Sequence, residues 1–160
     1  MRIGTDLAEV ARIEELMASQ PGLQETVFTA RELAYCHRRR RAGEHLAVRW
    51  AAKEAVLKTL GTGMGPRMEW TDIEVVNERG GRPQVRLYGE VEAVARGLGM
   101  HHIEISLTHS GGLAVAHAVL VCVPEPNEAP LHATGAADTA GSTHATDATD
   151  ASEGGERNEA

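Results

Sequence analysis

One segment in the middle of the chain concentrates residues that could do chemistry. Residues 49–58 read RWAAKEAVLK and have helical spacing, which places Glu54 and Lys58 one turn apart on one face. Lys53 lies beside them, and Arg49 lies one turn before Lys53. Cations this dense repel each other unless an anion binds, so the segment suits a metal ion and a phosphorylated ligand. The structural alternative is a plain Glu–Lys ion pair on a helix surface.

Asp6 is the second carboxylate of interest. It ends a short apolar segment from Arg2 to Asp6 that is predicted to form the first strand. Two roles stay open, and one carboxylate can fill both. Asp6 can cap a helix predicted from Leu7 to Ser19, paired with Glu9, or it can bind a hard cation. Magnesium prefers one or two carboxylates with phosphate oxygens and water, so Asp6 and Glu54 predict a magnesium-dependent, phosphate-handling site.

Two further segments offer ligand contacts, each with a structural alternative. The glycine-rich segment 61–65 follows a helix and lacks a Gly-Lys-Ser/Thr ending, which excludes a P-loop and a dinucleotide fingerprint. Gly61 is predicted to cap the helix, and Thr62 and Gly63 to expose backbone to a ligand. His109, where a strand gives way to a turn, is either a loop residue or a contact for phosphate or a proton. The chain has no G-x-S-x-G elbow, so a Ser/His hydrolase is excluded.

The composition of the chain changes near Pro124. Residues 1–124 contain fifteen acidic and fifteen basic residues, whereas residues 125–160 contain eight acidic residues and one Arg. The net charge of −7 therefore belongs to the last segment. That segment is mostly Ala, Thr, Gly, Asp, Glu and Ser, and it cannot bury enough apolar surface to offset its ordering entropy. We predict one domain, residues 1–124, and a disordered acidic tail, residues 125–160.

Several classes of function are not supported by the sequence. The two cysteines, Cys36 and Cys122, are far apart, and no C-x-x-C or H-E-x-x-H motif predicts zinc. No signal peptide or membrane-spanning run is evident, so a cytoplasmic protein without a membrane partner is expected. The run Arg38 to Arg41 is either a solvated helix end or a docking patch for an acidic partner or phosphates. It lacks interleaved aromatic residues, so nucleic acid is not an expected partner.

Hydrophobic periodicity predicts an α+β fold, with helices early and antiparallel strands late. After the first helix, a second is predicted to start at Thr29, with Glu32 completing a capping box. A break at Gly43 precedes the longest helix, whose alanines allow another element to approach closely. Its bounds and those of the later elements are predicted as helix 44–60, strands 70–76 and 85–88, helix 90–98, and strands 102–108 and 113–123.

These features resemble the holo-acyl-carrier-protein synthases, the short bacterial group of 4′-phosphopantetheinyl transferases. The likeness covers Arg2 to about Val123 and depends on five motifs in family order. They are a G-x-D-L strand end followed by Arg12, an F-T-x-x-E helix start, an R-x-A-A-K-E-A-x-x-K helix with L-G-T-G, a D-I-E-V strand and an S-L-T-H-S turn. Trp50 stands where the family often has Phe, and the acidic tail is not part of the pattern.

The resemblance implies a 4′-phosphopantetheinyl transferase-like single domain and the activity that goes with it. The enzyme would move 4′-phosphopantetheine from coenzyme A to a serine of apo acyl carrier protein, as in fatty acid biosynthesis, and release 3′,5′-ADP. Asp6 and Glu54 match the family's magnesium ligands. Lys58 would stabilise the leaving phosphate, and Arg49 and His109 would contact the coenzyme A phosphates. A metal-bound water, or Glu54 acting through that water, would take the serine proton.

The resemblance also implies partners. Arg12 matches an arginine that meets the acidic helix of the carrier protein, and the family is typically a homotrimer with active sites between subunits. With Arg49 and His109, the predicted substrate-binding residues are Lys53, Gly61, Thr62 and Gly63. The alternative is a non-catalytic module that uses Arg12 and the arginine run to hold an acidic protein.

Overall fold

The computed structural model describes residues 1–78 and 80–123. Along the chain these form β1 (Arg2–Glu9), α1 (Val10–Ser19), α2 (Leu23–Val27), α3 (Ala30–His37), α4 (Ala42–Leu60), β2 (Ile73–Asn77), β3 (Pro83–Leu87), α5 (Gly89–Gly97), β4 (Met100–Ser110) and β5 (Leu113–Cys122). An antiparallel sheet has the order β1-β5-β4, and β2 and β3 form a separate hairpin. This confirms the predicted α+β class. The predicted tail, residues 125–160, lies outside the described residues, so the boundary at residue 124 stays a prediction.

Helix α4 forms the centre of the core and packs on β1 and β5. Its alanines at positions 47, 51, 52 and 55 have no exposed surface, and neither do those of β5 at positions 114, 116 and 118. Small side chains on both surfaces let the helix backbone approach the sheet closely, which confirms the prediction made from these alanines. Among residues 1–78 and 80–123, no helix combines the length and apolar character needed to cross a bilayer.

The N-terminal strand is longer than predicted. β1 pairs with β5 from Arg2 to Glu9, and Asp6 lies within the strand opposite Ala116. Helix α1 begins at Val10, and its N-cap residue, Glu9, makes no side-chain capping bond. The predicted cap formed by Asp6 and Glu9 is therefore wrong. The spacing of Leu7 predicts a helix, but the residue belongs to the outer face of the strand, where it is exposed.

The other boundaries differ less from the prediction. The capping box of Thr29 and Glu32 is confirmed at the start of α3. Helix α2 was not predicted, and Gly43, predicted as a break, lies in the first turn of α4. A short 3-10 turn over Trp70–Asp72 precedes β2, so the strand of that hairpin starts at Ile73. The predicted helix 90–98 and the last two strands are found within two residues of their expected ends.

The sheet has one face without a covering element among the described residues. Ile3 and Leu7 of β1 project away from the buried Gly4 and Ala8, and these two residues are 63% and 56% exposed. On the same face of the sheet, Thr5 Oγ1 and His117 Nδ1 lie 2.9 Å apart, and these two residues are paired between β1 and β5. We call this surface the outer sheet face.

Candidate active site

The charged residues of α4 lie on two sides of the helix. Neighbouring residues in an α-helix are separated by about 100° around the axis. Arg49 and Lys53 therefore form one row, directed towards Asn77 and the core, while Glu54 and Lys58 form another, directed towards Asp6. The single cluster predicted from the sequence is divided between two places.

Glu54 lines a cleft of about 410 Å³ that lies between β1, α1 and α4. Asp6 and Glu9 contribute from the strand, Arg12 from α1, and Glu54 and Trp50 from α4. Apolar side chains of β1 and α1 complete the lining. We call this the carboxylate cleft. The structure thus brings together Asp6, Glu54 and Arg12, which are widely separated along the chain.

Lys58 bridges the helix to the strand beside this cleft. Its Nζ donates to Asp6 Oδ1 at 2.8 Å and to the carbonyl oxygen of Thr5 at 2.7 Å. The Lys58 side chain is half exposed, whereas that of Asp6 is 16% exposed. The simple Glu54–Lys58 pair on the helix surface, the structural alternative, is not formed. The ammonium instead holds the end of α4 against the middle of β1.

Glu54 lies in an environment that opposes its negative charge. Burial raises the pKa of the Glu54 carboxyl, the charge of Asp6 raises it further, and Lys58 opposes the shift. Within residues 1–78 and 80–123, the Glu54 carboxylate accepts no hydrogen bond and forms no ion pair. Two nearby carboxylates, of which only Asp6 is paired with an ammonium, favour an added cation. The donor set therefore fits magnesium bound by Asp6 and Glu54.

The protein contributes few ligands to such an ion. No group of three or more His, Cys, Asp or Glu side chains in the described part of the chain is arranged to hold a metal. A closed site of the kind that holds structural zinc would need four protein ligands. Two carboxylates leave most of a magnesium coordination shell for water and phosphate oxygens.

Lys53 belongs to the core. Its Nζ lies 2.8 Å from Glu32 Oε2, and both side chains have no exposed surface. It also donates to the backbone carbonyls of Trp70, at 2.9 Å, and Ile73. Burial lowers the pKa of the Lys53 ammonium, and the charge of Glu32 opposes that shift. This corrects the prediction that Lys53 binds substrate, because the ammonium is enclosed where α3, α4 and β2 meet.

Removing the Lys53 ammonium should destabilise the fold. Lys53→Met leaves the Glu32 carboxylate buried without a cation, and breaking a buried pair costs about 3–5 kcal/mol. We expect a loss of about that size in the free energy of unfolding, measured by urea titration. The double variant Glu32→Gln/Lys53→Met should recover much of the loss. A single-variant loss below about 1 kcal/mol, the range of an exposed pair, would contradict a buried charged pair.

Arg49 lines a second, larger cleft of about 610 Å³, together with Arg31, Tyr35, Arg38 and Arg39. We call this the basic cleft. The guanidinium carbons of Arg39 and Arg49 lie 4.4 and 4.3 Å from the centre of the Tyr35 ring. Arg49 Nη2 donates to Asn77 Oδ1 at 2.8 Å, and its buried Nε has no hydrogen-bond partner among the described residues. Arg38 and Arg39, two of the four arginines in the run 38–41, thus line the basic cleft.

His109 is connected to the basic cleft. It lies near the end of β4, and its Nδ1 is 3.2 Å from Glu44 Oε2. Its ring centre is 5.9 Å from that of His45, which is in turn 6.0 Å from the Tyr35 ring. Burial lowers the pKa of His45, and the positive charges of Arg49, His109 and Arg39 lower it further. The structure therefore groups His109 with Arg49.

The glycine-rich exit of α4 lines neither cleft. Gly61 has a left-handed φ of 78° and caps the helix through its backbone N–H to Leu57, as predicted for a glycine cap. Arg2 Nε donates to the carbonyl oxygen of Thr59 at 2.6 Å and satisfies another end group of the helix. Thr62 and Gly63 are exposed just beyond this cap.

Several residues that shape the clefts were not predicted. The Tyr35 ring contacts two guanidinium groups of the basic cleft, and Glu9 and Trp50 line the carboxylate cleft. A sequence signal exists for Tyr35, because Arg31 and Tyr35 are four residues apart on one face of α3 and Arg39 follows just beyond the end of that helix. Glu9 could not be assigned because its position depends on the true end of β1.

Comparison with known proteins identifies the class to which this fold and these clefts belong. Residues 2–116 match the family model for the 4′-phosphopantetheinyl transferase superfamily. The holo-[acyl-carrier-protein] synthase of Moorella thermoacetica is 45% identical over 120 residues, which are 75% of this chain and 93% of that protein. The chain therefore belongs to the 4′-phosphopantetheinyl transferase superfamily, a class of enzymes. Within it, the chain falls among the holo-[acyl-carrier-protein] synthases.

Solved structures agree with this assignment. The coenzyme A complex of the enzyme from Chronobacterium ammoniagenes superposes with a TM-score of 0.68 at 32% identity, over 77% of this chain and 98% of that one. The enzyme from Bacillus anthracis in complex with coenzyme A (3′,5′-ADP) superposes with a TM-score of 0.63 at 33% identity, over 76% and 96% of the two chains.

Proposed function

We propose that this enzyme transfers the 4′-phosphopantetheine group of coenzyme A to a serine of apo acyl carrier protein, with magnesium, and releases 3′,5′-ADP. The serine oxygen would form a bond to the phosphorus on the pantetheine side of the pyrophosphate, and the bond from that phosphorus to the bridging oxygen would break. The serine proton leaves to a base. The relatives that bind coenzyme A support the donor, and the name of the Moorella enzyme supports the acceptor.

The observation that carries the proposal is the convergence of Asp6 and Glu54 in the carboxylate cleft. Magnesium held by these two carboxylates would neutralise charge on the pyrophosphate and orient its oxygens. Lys58 is half exposed beside Asp6, and its contacts to Thr5 and Asp6 leave one of its three N–H donors for the charge that would develop on the leaving phosphate. The raised pKa of Glu54 also suits the carboxylate that accepts, directly or through a water, the serine proton.

Arg12 is the proposed contact for the carrier protein. It lies exposed on α1 at the border of the carboxylate cleft, where a bound acidic helix would present its serine to Asp6 and Glu54. Its position in the cleft supports a charge-guided approach of the carrier protein to the reacting groups.

The basic cleft is the proposed site of the remaining phosphates of coenzyme A. Arg49 and His109 belong to this group of residues, and the two clefts share no lining residue among those described. A homotrimer with sites between subunits would join the carboxylate cleft of one subunit to the basic cleft of the next. The uncovered apolar side chains Ile3 and Leu7 on the outer sheet face support self-association. A cytoplasmic location remains a prediction.

Intact-mass spectrometry of an apo acyl carrier protein tests the proposal. The carrier protein is incubated with this chain, coenzyme A and magnesium, with a chelator in the matched control. We expect a mass gain of one phosphopantetheine group that is lost on chelation, with 3′,5′-ADP as co-product. No gain across several carrier proteins would overturn the proposal and favour a binding module. A gain unaffected by the chelator would overturn the role given to magnesium.

A further inference from the structure

Gly4 occupies the closest contact between the strand and the helix that carry the two carboxylates. It is buried in β1, two residues before Asp6, and lies under Ala55 of α4. A Cβ atom added at Gly4 would overlap the backbone carbonyl oxygen of Ala55 and would lie 3.0 Å from Lys58 Cβ. The first of these contacts cannot be relieved by turning a side chain, because the obstructing atom belongs to the helix backbone.

The contacts on either side of Gly4 hold the same part of the helix. Arg2 donates from Nε and Nη2 to the carbonyl oxygens of Thr59 and Leu60, at 2.6 and 3.1 Å. Lys58 donates to Thr5 and Asp6. Hydrogen bonds from Arg2 and Lys58 thus hold the last two turns of α4 against the first half of β1. Gly4 lies between these two contacts and lets the helix and the strand approach closely.

The distance between the two carboxylates depends on this approach. Asp6 is part of β1 and Glu54 is the residue before Ala55, so any outward shift of Ala55 carries Glu54 away from Asp6. In the present arrangement both side chains line the carboxylate cleft. Metal ligands need placement within about 0.5 Å, and small errors in their supporting residues weaken binding.

We infer that Gly4 is a positioning residue, whose missing side chain sets the separation of Asp6 and Glu54 that binding of the divalent cation requires. This inference deepens the proposed function and rests on it, since the cation is that of the proposed reaction. Gly4 touches no reacting atom itself.

The test is Gly4→Ala, compared with Gly43→Ala in the full chain. Gly43 also lies in α4, but a Cβ added there meets only the flexible end of the Glu14 side chain, which can move aside. Magnesium binding is measured by isothermal titration calorimetry and manganese binding by electron paramagnetic resonance, both without substrate. We expect Gly4→Ala to weaken metal binding roughly 10- to 100-fold, the range for residues that support metal ligands. Gly43→Ala should leave it unchanged.

Rescue separates positioning from a loss of stability. A Glu side chain is one methylene longer than Asp, so Asp6→Glu should recover part of the metal affinity in the Gly4→Ala background while lowering it in the wild-type background. Should Gly4→Ala not be recovered folded, Arg2→Ala loosens the same helix end without adding atoms. It should weaken metal binding several-fold at an unchanged circular dichroism spectrum. Equal metal affinity of the wild type and the folded variant would overturn the inference.

The outcome also distinguishes this inference from the proposed function. If the wild-type chain itself neither binds magnesium nor modifies a carrier protein, the proposed function fails. If the wild-type chain does both and folded Gly4→Ala does both equally well, only the role of Gly4 fails.

Discussion

Glu54→Gln should reduce phosphopantetheine transfer by roughly 100-fold or more, because a bound metal supplies several kcal/mol of transition-state stabilisation and each 1.4 kcal/mol is tenfold in rate. The amide keeps the shape of the side chain but provides a weaker ligand and no base. Initial rates are measured by mass spectrometry at saturating coenzyme A and several magnesium concentrations. Glu25→Gln, which changes an exposed carboxylate on α2, should leave the rate unchanged.

The same substitution should make the metal-free protein more stable at neutral pH. The folded-state pKa of Glu54 is raised, so folding favours its protonated form. The contribution of Glu54 to stability is fully present below the ordinary pKa of Glu, about 4.3. It is lost as the pH rises through the folded-state pKa of Glu54. Glu54→Gln therefore has a higher melting temperature than the wild type at pH 7, and the difference disappears near pH 4.

Thermal melts in a chelating buffer between pH 4 and pH 8 measure this difference. Because Glu54 is partly exposed, solvent screening reduces the gain, and a rise of a few degrees is the scale expected. A variant that loses transfer and also melts lower at pH 7 would show that Glu54 stabilises the fold, which is incompatible with the unpaired, desolvated carboxylate described above.

Mixing two inactive variants should restore transfer, because each proposed active site joins two subunits. One variant carries Glu54→Gln in the carboxylate cleft, and the other carries Arg39→Ala and His109→Ala in the basic cleft. In randomly mixed trimers, a site is intact when its carboxylate cleft comes from the second variant and its basic cleft from the first. That arrangement occurs in about one quarter of sites in a cyclic assembly.

The measurement is the transfer rate of the two variants after they are unfolded and refolded together, compared with each refolded alone. We expect the mixture to recover about one quarter of wild-type activity by the same counting, while either variant alone stays well below it. If both clefts of one chain served the same site, the mixture would be no more active than the sum of its parts. Size-exclusion chromatography with light scattering checks that mixed assemblies form.

Local interactions explain why much of the fold was predictable from the sequence. The capping box of Thr29 and Glu32 uses residues three apart, and Gly61 ends α4 because a left-handed φ favours glycine. The antiparallel β4–β5 pair follows two alternating segments joined by a glycine turn. The family resemblance depends on short motifs of the same kind, so it could be recognised without knowing any contact between distant residues.

The pairing of β1 was not available to such reasoning. Leu7 fits a helical pattern as well as the outer face of a strand, and only the pairing of β1 with β5 through Glu9 decides between them. That pairing joins residues more than a hundred positions apart, and it moves Asp6 from a helix cap to the middle of a strand. The missed residue Glu9 follows from the same cause.

Residue type and short spacing were enough to predict the family and the α+β class, and they singled out Asp6 and Glu54 as candidate metal ligands. Which charges meet depends on how distant elements pack together. Lys53 and Glu54 are neighbours in the chain, yet the turn of the helix sends one into the core against Glu32 and the other into a cleft beside Asp6. Lys53 is a structural residue because other elements cover its side of α4. Glu54 is a candidate ligand because its side of the helix faces a cleft that is open to solvent.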